Sequence, residues 1–206
     1  MSAALRPSSA RKRAAVLEAA ERVFLRDGYR AATMDEVAGI AGVSKQTAYA
    51  HFGSKEALFV ALVTSMTEGA GEQTEPTPPD TADGIEPFLL EHARALLAGV
   101  LTPRVVRLRR LVVGEAAHFP GLGEALWTHG PAATVAWTAA RLREMAERGW
   151  LVVPDPQRSA TTWNWLVMAA PLEEAMLRGR SETASAEDLD AHCREAVRVF
   201  LAAHRR

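Results

Sequence analysis

Residues 33 to 55 read TMDEVAGIAGVSKQTAYAHFGSK, and the local signals in this run define two short helices and the corner between them. Thr33 and Glu36 have the T-x-x-E spacing of a capping box, in which a hydroxyl and a carboxylate satisfy each other's backbone N–H groups at a helix start. Asp35 adds a second carboxylate to the first turn, at the positive end of the helix dipole. Val37, Ile40 and Ala41 recur at helical spacing, and Gly42 then offers the left-handed conformation that ends a helix. Ser44 is placed to cap a second helix running to about Phe52, with Ala48 and Phe52 sharing one face. Gly53 stops it, and Ser54 caps a third that begins Lys55-Glu56-Ala57-Leu58-Phe59. Two short helices joined through a glycine make a helix-turn-helix. Helices shorter than about 12 residues are marginal in water, so both must pack on neighbours. The outer face of the second carries Lys45, Gln46, Thr47 and Tyr49, whose donors and hydroxyls suit base edges and phosphates in a DNA major groove.

The run T-x-x-E-V-A-x-x-A-G-V-S-x-x-T-x-Y-x-H-F-x-S-K-E-x-L, within a match covering roughly residues 11 to 60, resembles the DNA-binding domain of TetR-family (TetR/AcrR-type) transcriptional regulators. The resemblance implies an all-α chain: an N-terminal three-helix helix-turn-helix domain, then a helical bundle that binds a small molecule and dimerises. Carried over position by position, it makes Thr33 a phosphate contact at a helix start and adds Ser44 to the DNA-binding set. It puts Lys45, Gln46, Thr47 and Tyr49 in the groove, and His51 and Lys55 on the DNA backbone. Gln46 is the candidate for a bidentate contact to adenine, and Lys55 for a contact that sets affinity without sequence preference. Two positions depart from the family pattern. Ala48 stands where a larger aliphatic is usual, implying looser packing under the second helix, and Ala50 replaces a frequent second aromatic, so no DNA contact is assigned to it.

Composition bounds the remaining classes. The chain has 206 residues, 48% hydrophobic and 24% charged, which is ordinary globular composition with room for a sizeable core. The longest apolar runs, WLVMAAPL and ALLAGVL, are far shorter than the roughly 18 residues that span a bilayer. The N-terminus MSAALRPSSARKR puts no apolar segment behind its basic residues, so a cytoplasmic location is expected. The single cysteine, Cys193, excludes an internal disulfide framework and a cysteine-rich metal site. Net charge is −1, but it is unevenly placed: residues 1–60 hold nine Lys and Arg against six Asp and Glu, and residues 61–206 hold fifteen against nineteen. Positive charge confined to one end favours a small, specific DNA footprint over a general nucleic-acid coat.

Residues 1–10 are small and polar and are expected to form a disordered arm, ended by Arg11, Lys12 and Arg13, which serve equally well as phosphate contacts or as a solvated helix start. From Ala14 to Asp27 the apolar spacing predicts a helix closed by Gly28. The DNA-binding domain is thus read as 11–60. The third head helix continues through Met66 and gives way to EGAGEQTEPTPPDTADG, with 69–83 as the boundary. The body, read as 61–206, is all-helical: Ile85 to Leu101, a helix opened by Pro103 and broken at Pro120-Gly121, and a segment to Arg148 interrupted at Gly130-Pro131. The helix from Gln157 to Arg178 is apolar on two sides, and a last one runs from Ser185 or Ala186 to about His204. Trp150–Val153 is read as a connector. These last two helices are expected to pack against their copies in a homodimer. The stretch RLRRLVVGEAAHFPGLGEALWTHGP is similar to the ligand-binding domain of a common branch of the same family, through R-L-V-x-x-E-A-x-x-F-P.

Aromatic residues at helical spacing are normally core. Polar groups among them are more informative, because a buried polar group needs a partner or a ligand. His92, Arg110, Glu115, Thr134 and Asn164, with Trp127, Trp137 and Trp163, are therefore the effector candidates, suited to a small hydrophobic or aromatic molecule. No Gly-rich phosphate loop, H-E-x-x-H pair or G-x-S-x-G motif is present, so no enzyme, catalytic residue, cofactor or metal is expected. The expected function is a repressor that binds a palindromic operator in double-stranded DNA as a homodimer and is released by a small-molecule effector. A helical adaptor that binds a protein partner through the Lys45–Tyr49 face is the alternative, and activation in place of repression is also compatible with the sequence.

Overall fold

The capping signals at Thr33, Ser44 and Ser54 each start a helix in the computed structural model, which describes residues 7–71, 76–178 and 185–205. In chain order the helices are α1 (Pro7–Ala31), α2 (Met34–Ile40), α3 (Lys45–Phe52), α4 (Lys55–Gly71), α5 (Ile85–Val100), α6 (Pro103–Glu115), α7 (Pro120–Trp127), α8 (Ala133–Glu147), α9 (Pro156–Arg178) and α10 (Ala186–His204). A π-helical turn over Thr128–Ala132, containing Pro131, joins α7 to α8. No strand occurs among the described residues, and Trp150–Val153 is a connector as expected. Of the expected arm, residues 1–6 lie outside the described residues, whereas 7–10 already belong to α1. Of the expected linker, 72–75 lie outside the described residues, and α4 extends through Gly71. Gly28 breaks α1 with φ 80°, a conformation an L side chain rarely adopts, and redirects its last turn.

The chain divides into two compact units, and the division does not follow chain order. The first unit comprises 1–66 together with 107–126; the second comprises 67–106 and 127–206. Residues 107–126, expected in the effector domain, pack with the head in this division. Leu108, Val112 and Leu122 are buried in the same core as Val16, Ala20 and Phe24 of α1, Val37 of α2, Ala48 of α3, and Leu58 and Phe59 of α4. Phe24 and Phe59 meet edge to face at 4.9 Å, and Tyr29 packs edge-on against Phe59 at 5.3 Å and against Phe119 at 4.6 Å. These contacts supply the neighbours that α2 and α3 are too short to do without. The stretch that resembles a ligand-binding domain thus begins as part of the head's packing.

In the second unit Trp163 of α9 is fully buried, between Ile85–Leu97 of α5, Val135–Met145 of α8 and Cys193–Leu201 of α10. Its ring meets Phe200 edge to face at 5.2 Å. Pro171 lies inside α9 and has no N–H to donate, which frees the carbonyl of Val167. His192 Nε2 donates to that oxygen at 2.8 Å, so α10 repairs the gap in α9. His204 stacks on Phe200 at 4.1 Å and pairs with Ser159 Oγ at 2.9 Å, tying the end of α10 to the start of α9.

Candidate nucleic-acid interface

The turn of the helix-turn-helix is set by backbone chemistry. Thr33 Oγ1 accepts from the Glu36 N–H at 3.2 Å, and Ser44 Oγ accepts from the Thr47 N–H at 3.2 Å. Gly42 closes the corner with φ 66°. Only half of the expected capping box forms, because the Glu36 carboxylate turns to Arg26 of α1 instead of reaching back to Thr33. The pairing ties α2 to α1.

On α3, Ala48 is fully buried and Phe52 nearly so, while Lys45, Gln46, Tyr49 and Ala50 are exposed and Thr47 and His51 half-buried. Burial of the 48/52 edge is what turns the others outward. Thr47 Oγ1 bonds Ser44 Oγ at 2.8 Å, so these two hydroxyls engage each other. Lys45 Nζ lies 2.7 Å from Asp35 Oδ1 and 6.0 Å from the centroid of the Tyr49 ring; the hydrogen bond to Asp35 raises its pKa. Arg13 places its guanidinium over the Phe52 ring at 5.2 Å, at the far end of the same helix. The sequence marks Arg13 only as one of three basic residues, because stacking between residues so far apart in the chain leaves no local pattern.

Lys55, expected on the DNA backbone, is engaged within the head. Its ammonium donates to the carbonyls of Tyr29 at 2.9 Å, Ala32 at 3.1 Å and Arg30 at 3.3 Å, and sits 4.6 Å from the centroid of the Tyr29 ring. A lysine has three N–H donors. All three are occupied by the carbonyls released where Gly28 breaks α1, so Lys55 caps α1 instead of reaching out from the surface.

The effector candidates are divided between the two units. Arg110 and Glu115 belong to the first unit, where Glu115 pairs with Arg30 at 3.0 Å. The other six belong to the second unit, and of these Trp127 is exposed and Thr134 half-buried, its carbonyl accepting from Thr138 Oγ1 at 2.9 Å. His92, Trp137 and Trp163 do come together: His92 lies 4.9 Å from Trp137, ring centre to ring centre, and 6.1 Å from Trp163. Trp163 Nε1 donates to His92 Nδ1 at 3.2 Å, which leaves the histidine proton on Nε2, and burial lowers the His92 pKa to about 4. Asn164 is 8% exposed and its Oδ1 is buried without a hydrogen bond. No described helix is long and apolar enough to cross a membrane.

Both ends of the chain match known families. The family described as bacterial regulatory proteins, tetR family, matches residues 16–62, and the AefR-like transcriptional repressor C-terminal domain matches residues 87–206. A TetR-family transcriptional regulator from Mesorhizobium loti is 31% identical with a TM-score of 0.82, over 98% of this chain and 100% of that one. The flavonoid-responsive regulator FrrA is 31% identical with a TM-score of 0.83, over 95% of this chain and 98% of that one. The transcriptional regulator TtgR of Pseudomonas putida is 32% identical over 106 residues, 52% of this chain and 49% of that protein. The curated relatives are thus matched over 24% to 49% of their own length. With a capped helix-turn-helix at one end and a family domain matching more than half of its length at the other, the chain belongs to the TetR family of DNA-binding bacterial transcriptional regulators.

Proposed function

We propose that the protein is a cytoplasmic repressor that binds a near-palindromic operator as a homodimer and leaves it when a small aromatic ligand binds. The observation that carries the DNA half of this reading is the outward set on α3, with Lys45, Gln46 and Tyr49 exposed on a helix whose other edge is locked in the core. Thr33, Ser44, Thr47 and His51 flank them. Lys55 acts on DNA through the end of α1 that it holds. Two such helices in a dimer stand about 34 to 36 Å apart, one turn of DNA, and so read two half-sites. The dimer reading rests on α9 and α10, where Trp165, Leu177 and Val199 stay exposed: 61%, 76% and 38% of their surface lies open.

The ligand half rests on the second unit. Stacked rings of Phe88, Trp137, His92 and Trp163 offer aromatic faces, neutral His92 adds no charge, and the unpaired Asn164 Oδ1 calls for a donor. A phenol-bearing aromatic molecule answers all three, and FrrA is described as flavonoid-responsive. Ligand-driven displacement of α4, which carries the chain from Lys55 to Gly71, would alter the spacing of two heads; its driving force is the ligand's unequal affinity for the two arrangements.

Selection from a random duplex library on the purified protein tests the reading. A near-palindrome is expected, with binding that falls steeply with salt and is lost in Tyr49→Ala. No enriched sequence at low salt would sink the operator reading and favour a protein partner for this face.

A further inference from the structure

A cleft of about 380 Å³ opens on the head between the end of α1 and one face of α6, and neither the DNA contacts nor the aromatic cluster of the second unit uses it. Its volume lies in the range of small-molecule sites, though it is largely open to solvent. Phe24, Leu25, Tyr29 and Leu111 give it apolar walls, and Gly28 and Gly114 give it its opening. A Cβ placed on either glycine meets nothing within 4 Å, so the missing side chains are the empty space. Gly28 is required by its backbone conformation. Gly114 is exposed in the last turn of α6, and nothing crowds it.

Charge selects the occupant. Glu115 at one end is engaged by Arg30 at 3.0 Å. Arg107 is exposed at the rim, and Arg110 lies one turn along the same face. We propose that this cleft is a second small-molecule site that takes an aromatic carboxylate. The ring lies between Gly28 and Gly114 against Tyr29 and Leu111, and the carboxylate meets the guanidinium fork of Arg107, with Arg110 adding positive charge.

The test is a titration of the ¹⁵N-labelled full-length protein with 1-naphthoate, following the Gly28 and Gly114 amide resonances. Saturable shifts at both are expected. Gly114→Leu, which fills the cleft, should weaken binding about tenfold or more, and Arg107→Gln about threefold, with 1-naphthalenemethanol, the uncharged analogue, weaker than naphthoate by a similar factor. Val152→Thr, at an exposed position of the second unit, should leave the affinity unchanged. Naphthoate that shifts neither glycine, or that binds Arg107→Gln and Gly114→Leu as tightly as wild type, overturns the proposal, as does loss of binding in Val152→Thr. If Gly114→Leu fails to fold, Arg107→Gln and the uncharged analogue decide, since the former changes only an exposed side chain. Operator binding enters none of these readouts, so this site can fail while the repressor reading stands.

Discussion

In the unit built from residues 1–66 and 107–126, the described buried side chains are apolar apart from the phenol of Tyr29, whereas the unit built from 67–106 and 127–206 also buries His92, Thr138, Ser159 and Asn164. The head satisfies most of its polar groups at helix ends: Thr33, Ser44 and Ser54 cap starts, and Lys55 caps the broken end of α1, while Arg109 Nε is buried on α6. The other unit buries more polar side chains. An apolar core with capped helix ends holds α3 in one orientation, whereas buried polar groups leave interior partners that can be exchanged, at a cost in stability.

That contrast can be broken or sharpened by substitution. The largest expected effect is in the apolar core: Phe59→Ala, at a fully buried ring facing Phe24 and Tyr29, should lower stability by about 3 to 5 kcal/mol and abolish operator binding with it, read by chemical denaturation and gel shift. Next is pH. The folded pKa of His92 is about 4, below its unfolded value of about 6.5, so the unfolded state takes up the proton first. Stability contributed by neutral His92 is complete above about pH 6.5 and is lost toward pH 4, at up to about 1.4 kcal/mol per pH unit. His92→Gln, which keeps an acceptor for Trp163, should flatten that part of the curve; an unchanged slope would move the titration to other groups.

Lys55→Met should cost about 1 to 3 kcal/mol by leaving three carbonyls unpaired. The salt slope of operator binding separates a capping role from a role on DNA: removing a cap leaves the slope unchanged, whereas removing a cation that neutralises a phosphate reduces it by about one. The smallest effect runs the other way. Asn164→Leu removes a buried acceptor that has no partner and should stabilise the protein by about 1 kcal/mol, while abolishing the response to a phenolic ligand. If the variant is less stable, Asn164 Oδ1 has a partner in solution and the ligand argument loses its support.

The head was legible in the sequence because its determinants are local. Caps act within three residues and a turn glycine acts at one, so Thr33, Ser44 and Gly42 announce α2, α3 and the corner between them without any knowledge of the rest. The all-helical body was legible for the same reason, through apolar spacing and Pro/Gly breaks. Contacts across long stretches of chain were not. Nothing near Lys55 says that the carbonyls of Tyr29, Arg30 and Ala32 will occupy its ammonium, and nothing near Glu36 says that Arg26 will take its carboxylate from the capping box.

The largest gap between the two levels is the position of residues 107–126. Their sequence resembles a ligand-binding domain and follows the linker, yet Leu108, Val112 and Leu122 complete the core beneath α1 and α4, and Glu115 goes to Arg30. By itself the sequence determined the helices, their ends and the exposed face of α3, since hydrogen-bond capping and helical periodicity act over a few residues. Only the tertiary structure decided which unit each helix joins, and with it that Glu115 meets Arg30 while Trp163 meets His92 and Phe200. An apolar stripe states that a helix must be buried but not against what, and that choice belongs to the packing of the whole chain.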